Sequence, residues 1–142
     1  SLAVRERKLG EAERWLRQAE KIQPKHPAVL LAFGRLEAAK GNYAQAVTLL
    51  EESQELGEDS TTLFGELGEA YSHLKQWEKA ASSLERAAKN QRRNTRWRLL
   101  QANALAQLGK KKDAEIKYRE VLAINPSSSE AWQGLKSLGS KY

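Results

Sequence analysis

The sequence contains no cysteine in its 142 residues. Disulfides, thiolate metal sites and cysteine nucleophiles are therefore excluded. The absence of cysteine suits a reducing cytoplasm slightly better, but a small periplasmic domain would look the same, so the compartment stays open. No run approaches about 18 apolar residues, the length that a membrane-spanning helix needs. The start, SLAVRERKLG, also lacks the apolar stretch of a signal peptide, and we predict no membrane insertion.

Histidine is scarce as well, which limits acid–base chemistry at neutral pH. His26 and His73 are the only two histidines, and they lie far apart in the sequence. No Ser, His and Asp arrangement indicates a catalytic triad, and no His, Asp and Glu set has metal-ligand spacing. The glycines in FGELGEAY lie within a predicted helix that no strand precedes, which favours close helix packing over phosphate binding. We expect the chain not to be an enzyme and to use no cofactor or metal.

The residues that dominate are good helix formers, and they recur in a regular pattern. The segments GNYAQAVTLLEESQEL, KQWEKAASSLERAAKN and GKKKDAEIKYREVLAI begin at Gly41, Lys75 and Gly109, 34 residues apart. Each segment has apolar residues at helical spacing. Other helical stretches lie between them, and no strand pattern is present. Helix pairs that repeat at this period are typical of an α-solenoid.

The repeat resembles that of the tetratricopeptide repeat family, a helix–turn–helix unit of 34 residues. The small residue that opens the family's second helix is matched by Ala12, Ala46, Ala80 and Ala114. The small residue of its first helix is matched by Gly34, Gly68 and Ala102. Arg98 departs from the apolar anchor of the first helix, and we expect the neighbouring Trp97 to pack there after a small local adjustment. The resemblance implies an all-α fold, a solenoid of antiparallel helix pairs that winds as a right-handed superhelix.

The repeat period divides the chain into segments of a single array. A partial repeat is predicted at 1–26, whole repeats at 27–60, 61–94 and 95–128, and a closing helix at 129–142. Residues 1–26 are predicted to hold the tail of a first helix and a complete second helix, which suggests the hypothesis that more repeats precede Ser1. Helices of about 14 residues are marginal alone in water, so stability is expected to come from stacking.

The net charge of +6 is unevenly distributed along the chain. Residues 41–70 contain no Lys or Arg and seven acids, whereas residues 71–112 contain eleven basic residues and two acids, a net charge of 11 − 2 = +9. The segment NQRRNTRWR at 90–98 stays open between a solvated connector, a contact for an acidic protein segment and a polyanion site. It lacks the aromatic interleaving of single-strand binders, so nucleic acid is the least expected. The candidate basic patch comprises Arg92, Arg93, Lys110, Lys111 and Lys112.

The resemblance also implies a function, because first helices in this family line a concave groove that accepts a peptide or partner segment. We therefore predict a protein–protein interaction scaffold, within a larger multi-protein assembly. Transferred residue by residue, the predicted groove comprises Leu31, Arg35, Glu66, Glu69, Ser72, His73, Arg96, Leu99, Asn103 and Gln107.

One subfamily holds the acidic carboxyl terminus of chaperones with a set of Lys, Asn and Arg side chains. The equivalent positions here are Leu31, Arg35, Glu66, Arg96 and Leu100. Only Arg96 suits a carboxylate, and Glu66 would repel one, so we do not expect chaperone-tail binding. Two alternatives remain at this point. The basic half could bind a polyanion such as nucleic acid or an anionic glycan, or the chain could self-associate through its repeat ends.

Overall fold

The computed structural model describes residues 1–139, and in these residues it contains α-helices and no strand. The helices are α1 (Leu2–Ile22), α2 (Pro27–Ala39), α3 (Tyr43–Glu55), α4 (Thr61–His73), α5 (Trp77–Lys89), α6 (Thr95–Gln107), α7 (Lys111–Ile124) and α8 (Ser129–Ser137). Helices α2 to α7 form three pairs, and each helix packs against the next one in the chain. The predicted all-α solenoid of helix pairs is confirmed. The last three residues of the predicted closing helix, 140–142, lie outside the described residues.

The 34-residue period is visible in how the first helix of each pair begins. The residues that cap α2, α4, α6 and α8 are spaced at this period, and they are His26, Ser60, Asn94 and Ser128. In each case the side chain accepts a hydrogen bond from a backbone N–H of the first turn, which would otherwise lack a partner within the helix. His26 accepts through Nδ1 at 3.1 Å, so this histidine has a structural role in the connector.

The turn within each pair depends on one residue with a left-handed backbone. Gly41, Lys75 and Gly109 have φ values of 86°, 60° and 78°, a region that glycine enters at little cost. The residue at the same repeat position in α1 is Arg7, which has no positive φ, and neither does Gly10. Because no residue there turns the chain, α1 is one continuous helix from Leu2 to Ile22. The prediction of two helices within residues 1–26 is therefore wrong.

The two layers of the solenoid differ in spacing, and this difference curves the array. Helices α2, α4, α6 and α8 contact one another in succession. Among the described residues, successive odd-numbered helices make no such contacts with each other. An array bends towards the layer in which neighbours lie closer together. The even-numbered helices therefore form the concave face, and α1, α3, α5 and α7 form the outer layer.

The core lies between the two layers, where the helices of a pair come very close. The alanines that open the second helices have no exposed surface at Ala46, Ala80 and Ala114. A Cβ atom added to Gly34 would lie 2.6 Å from the Leu50 side chain, and one added to Gly68 would lie 2.4 Å from that of Leu84. Both leucines are fully buried. The small residues of the first helices thus set the distance between the layers.

Arg98 stays at the repeat position of the apolar anchor, but it makes polar contacts there. Helix α6 begins at Thr95, in step with the other first helices, so no local adjustment occurs and that part of the prediction is wrong. Trp97 is buried as expected, but its ring packs against Gly65 of the preceding pair. The Arg98 side chain is only 15% exposed and donates hydrogen bonds to the carbonyls of the 90–94 connector, the shortest at 2.6 Å.

Two glycines of α1 and α4 allow a matched test of the close approach. We expect Gly68→Ala to lower the free energy of unfolding by about 1–3 kcal/mol, because the new methyl group would overlap Leu84. Gly10→Ala, which has nothing within 4 Å of its added Cβ, should raise it by about 0.5–1 kcal/mol through helix propensity. Urea unfolding followed by circular dichroism measures both values. Equal effects of the two substitutions would contradict the packing role of Gly68.

Arg98 offers a second test, since its guanidinium is the main side-chain partner of the connector carbonyls. We expect Arg98→Ala to destabilise the protein by about 1.5–3 kcal/mol, the range for hydrogen bonds to a charged group. Trypsin should then cleave faster after Arg92 and Arg93, because the connector loses its main tether. Arg93→Ala is the control, since its exposed side chain should change stability by no more than about 0.5 kcal/mol. Unchanged proteolysis in Arg98→Ala would refute the tethering role.

Candidate partner-binding groove

A cavity of about 700 Å³ opens at the concave face, within the usual size range of ligand sites. Its walls come from α1, α2, α4 and α6, with Tyr43 at one end. The residues that line it are Arg5, Leu9, Ala12, Trp15, Leu16, Ala32, Arg35, Leu36, Ala38, Ala39, Tyr43, Glu66, Glu69, Ala70 and Arg96. Four of the predicted groove residues are therefore brought together in one lining: Arg35, Glu66, Glu69 and Arg96.

These four residues form two ion pairs that join neighbouring inner helices. Nε of Arg35 on α2 lies 3.5 Å from Oε1 of Glu66 on α4. Nη2 of Arg96 on α6 donates to Oε2 of Glu69 on α4 at 2.6 Å. The arginines are more than half exposed and the two glutamates are largely shielded. The groove wall thus carries charges of both signs at fixed positions.

Glu66 is an acid of this wall with a shifted pKa. Burial raises the pKa of its carboxyl, because the surrounding helices separate the charged form from water. The positive charge of Arg35 opposes this shift, and the negative charge of Glu69 adds to it. A carboxylate that is kept partly desolvated is more common at functional sites than on ordinary surfaces. It marks this part of the wall as the best candidate for a contact.

Three other predicted groove residues are engaged within the fold. The His73 ring stacks on that of Tyr43, with centroids 3.9 Å apart and planes at 3°. Ser72 donates to a carbonyl of its own helix at 2.9 Å. Asn103 accepts a hydrogen bond from the Tyr118 hydroxyl at 2.5 Å. These side chains support the groove wall, and a partner would have to displace their contacts to bind them.

The remaining predicted groove residues divide between core and surface. Leu31 and Leu99 are half-buried and pack against the hydrophobic core, whereas Gln107 is exposed at the end of α6. Reasoning from the sequence missed the contribution of α1, whose lining residues are Arg5, Leu9, Ala12, Trp15 and Leu16. Their spacing on one helical stripe is visible in the sequence, but the predicted break within residues 1–26 concealed it.

The five residues of the candidate basic patch lie in two places. Arg92 and Arg93 precede α6, whereas Lys110, Lys111 and Lys112 follow it. The 13 residues of α6 span about 20 Å, so the two groups occupy opposite edges of the solenoid. Arg92 also borders a second cavity, of about 500 Å³, on the side of α5 and α7. No compact ligand can contact both groups at once.

Metal and membrane sites are not apparent in the described part of the chain. Residues 1–139 contain no cluster of three or more His, Asp or Glu side chains with the geometry to hold a metal ion. None of the helices in this range combines the length and the apolar character that a bilayer crossing requires.

Comparisons with known proteins agree with this architecture. Two family models, both described as tetratricopeptide repeat, match residues 3–64 and 66–129. No curated protein matches the sequence significantly. Among solved structures, YrrB, a TPR protein with an unusual peptide-binding site, is 22% identical with a TM-score of 0.85, over 92% of this chain and 69% of YrrB.

Two further solved structures are similar. MamA 41-end from Desulfovibrio magneticus RS-1 is 20% identical with a TM-score of 0.85, over 96% of this chain and 77% of MamA. The first TPR of Spaghetti (RPAP3), bound to the HSP90 peptide SRMEEVD, is 24% identical with a TM-score of 0.70, over 80% of this chain and 90% of that domain. At these identities the likeness shows the fold.

The raised pKa of Glu66 leads to a stability prediction. A carboxyl whose pKa is raised by folding stabilises the fold below its unfolded pKa, and this contribution is lost as the pH rises through the folded pKa. We therefore expect Glu66→Gln to raise the melting temperature at pH 7, with the difference shrinking towards pH 4. Glu85→Gln, an exposed carboxylate on α5, is the control. A lower melting temperature for Glu66→Gln at pH 7 would show that the Arg35 ion pair outweighs burial.

Proposed function

Because the chain belongs to the tetratricopeptide repeat family, we propose that it is a protein–protein interaction scaffold that binds a partner segment on the concave face of α2, α4 and α6. The observation that supports this most directly is the lining of the 700 Å³ cavity, where two ion pairs present fixed charges beside apolar side chains. The proposal is one of binding without catalysis, within a larger assembly of proteins.

Binding would bury the partner segment against Trp15, Ala32 and Ala39, which line the cavity and are not buried within the fold. Apolar contact supplies affinity, since burial contributes about 25 cal/mol per Å² of apolar surface before the costs of association. The ion pairs supply selectivity. A partner must present polar groups that match Arg35 with Glu66 and Arg96 with Glu69, because leaving a desolvated charge unmatched is costly.

The same pairs argue against a strongly acidic partner tail. Arg96 suits a carboxylate by chemistry, but its guanidinium is engaged by Glu69 at 2.6 Å. Glu66 lies beside the path of any segment that reaches Arg35, and it would repel an incoming carboxylate. The RPAP3 domain binds an HSP90 peptide that ends in EEVD. We propose that this chain prefers segments of mixed charge.

The separation of the basic patch into two groups of residues does not favour the alternative that the chain binds a polyanion. Phosphate-binding surfaces gather several Lys and Arg side chains along one track, and each contact adds to the salt dependence of binding. Here α6 separates the two basic groups, and Arg98, which lies between them in sequence, is engaged with connector carbonyls and with Glu120. The groove is the surface in which apolar area and fixed charge coincide.

A charge-changing variant of the groove tests this proposal. We expect Arg35→Glu with Gln107→Glu to reduce capture of partner proteins at least about tenfold, as loss of central interface contacts does. Both side chains are exposed, so the fold should persist, which circular dichroism checks. Partners are captured from lysate of the source cells by site-specific crosslinking and quantified by mass spectrometry. Asn103 is avoided as a target, because it holds Tyr118.

The matched control makes the same charge changes on the outer layer. Lys112→Glu with Gln45→Glu alters exposed side chains of α7 and α3, and it should leave capture unchanged. If instead the control loses its partners and the groove variant keeps them, the concave-face proposal is wrong. In that case an outer surface or the Lys110–Lys112 group binds the partner, and a steep salt dependence would indicate a polyanion.

A further inference from the structure

The second cavity, of about 500 Å³, lies on the outer side of the solenoid between α5 and α7. Arg98 and Gln101 of α6 form its floor, and Arg92 of the preceding connector also borders it. Both α5 and α7 belong to complete helix pairs, so a further pair stacked on either end of the array would leave this space open. Its exposure is therefore a property of the interior of the array. We call it the outer cavity.

Gln101 is a polar residue at a repeat position that is apolar elsewhere in the chain. The equivalent residues are Phe33, Leu67 and Leu135, and all three are buried. Gln101 is only 5% exposed, yet its side-chain amide has no hydrogen-bond partner among residues 1–139. In this range the Trp97 indole N–H is the only completely buried side-chain polar atom without a partner, so the Gln101 amide keeps some contact with solvent, at the cavity that it borders. Buried polar groups normally have partners, and this unpaired amide therefore indicates a ligand.

The floor of the outer cavity also differs from the preceding repeat at Arg98. The equivalent residue there is Phe64, which is buried, and the guanidinium of Arg86 lies over its ring at 3.8 Å from the centroid. In the next repeat the equivalent of Arg86 is Glu120, whose Oε2 lies 3.5 Å from Nε of Arg98. An apolar contact between the layers is thus replaced by a polar one, which keeps the floor of the cavity hydrophilic.

The charges around the outer cavity are only partly paired within the fold. The charged lining residues are Glu85, Lys89, Arg92, Arg98, Lys117 and Glu120. Arg98 and Lys117 both pair with Glu120, at 3.5 and 3.4 Å. Lys89, Arg92 and Glu85 have no ion-pair partner in the described part of the chain. The unpaired charges sum to 2 − 1 = +1, so the cavity has an excess of one unpaired cation.

We propose that the outer cavity binds the carboxylate side chain of an acidic segment from a partner protein. Lys89 and Arg92 pair with the carboxylate, and the Gln101 amide donates a hydrogen bond to it from the floor. One carboxylate neutralises the unpaired charge, whereas a phosphate group carries roughly −1.5 to −2 and exceeds it. Ile124 borders the cavity and is 39% exposed, so an apolar residue beside the acid gains burial.

This site goes beyond the groove of the proposed function, because it lies on the other side of the solenoid. No residue lines both the groove cavity and the outer cavity. The outer cavity is also unlike a polyanion track. Arg93 and Lys110–Lys112 do not border it, so a chain of phosphates finds no continuous row of cations there. A single acidic side chain matches the site better.

The test uses a short peptide with one carboxylate as the probe. It is a pentapeptide with a central glutamate between two leucines and a glycine at each end, acetylated and amidated so that the glutamate is its only charge. Titrated into the whole protein, it should saturably shift the side-chain amide signal of Gln101 and the backbone amide signal of Ile124 in nitrogen–proton correlation spectra. The absence of a saturable shift at both would overturn the proposal.

Two further peptides test the chemistry of the ligand. With glutamine in place of the glutamate, binding should be at least about tenfold weaker, because the charge-assisted hydrogen bonds are lost. With phosphoserine there, binding should be no tighter than that of the glutamate peptide. Equal binding of the glutamine peptide would overturn the ionic contact. Tighter binding of the phosphoserine peptide would overturn the choice of a carboxylate and assign the cavity to a phosphorylated segment.

Neighbouring arginines offer a matched pair of protein variants. Arg92→Gln should weaken binding of the glutamate peptide at least about tenfold, whereas Arg93→Gln, which is outside the lining, should leave it unchanged. Both side chains are exposed, so the fold should be retained, which circular dichroism checks. Equal effects of the two substitutions would show that net charge, and not the outer cavity, attracts the peptide.

Gln101→Leu separates ligand binding from stability. It restores the residue type of Leu67 and Leu135, so the melting temperature should be unchanged or higher. Binding of the glutamate peptide, followed at the Ile124 backbone amide, should nevertheless become at least about tenfold weaker. A stable Gln101→Leu protein that binds the peptide like wild type would refute the role of the amide as a donor. A lower melting temperature would show that the amide stabilises the fold instead.

Two controls separate the outer cavity from other surfaces. The groove variant, Arg35→Glu with Gln107→Glu, should bind the glutamate peptide like wild type, since neither residue borders this cavity. Loss of binding in that variant would place the peptide in the groove and overturn the proposal, whatever the outcome of partner capture. A dimer of the protein alone that Arg92→Gln dissociates would overturn the assignment to a partner protein, because a second copy would then supply the acid.

Discussion

The close approach of each first helix to its second helix is the constraint on which this structure depends. Gly34 and Gly68 lie so near Leu50 and Leu84 that a methyl group would not fit without a shift. Helices of 13 residues have little stability alone, so burial of the opposing stripe must stabilise them. These small residues set the spacing of the two layers, whereas the curvature and the concave face follow from the contacts between successive even-numbered helices.

Local interactions compensate for departures from the repeat pattern, so the helices keep the register of the 34-residue repeat. Arg98 replaces an apolar anchor, and its aliphatic part is buried while its guanidinium reaches the carbonyls of the adjacent connector. The Trp97 ring packs closely against Gly65, although its buried indole N–H has no hydrogen-bond partner among residues 1–139. The preceding cap, Asn94, stays in phase with Ser60 and Ser128. Capping therefore fixes the register even where the core pattern fails.

The helix pairs and their register could be predicted from the sequence, because period and small-residue spacing are local properties. The continuity of α1 could not be predicted from the sequence, because the pattern of a second helix looks the same whether or not a turn precedes it. The residue at the turn position does not distinguish the two cases, because Lys75 turns the chain there between α4 and α5 without being a glycine, whereas Arg7 does not. The groove was predictable in part. Arg35, Glu66, Glu69 and Arg96 face one cavity as repeat geometry implies, but their mutual pairing depends on side-chain conformations that no spacing specifies.

If the concave face binds a partner as we propose, that pairing would determine what kind of partner it selects. Free arginines would make the groove a general acceptor of acidic segments, and free glutamates would make it one for basic segments. Because they are paired across helices, the same residues offer little net charge and several fixed hydrogen-bond donors and acceptors. Binding would then depend on the shape of the partner and on the arrangement of its polar groups.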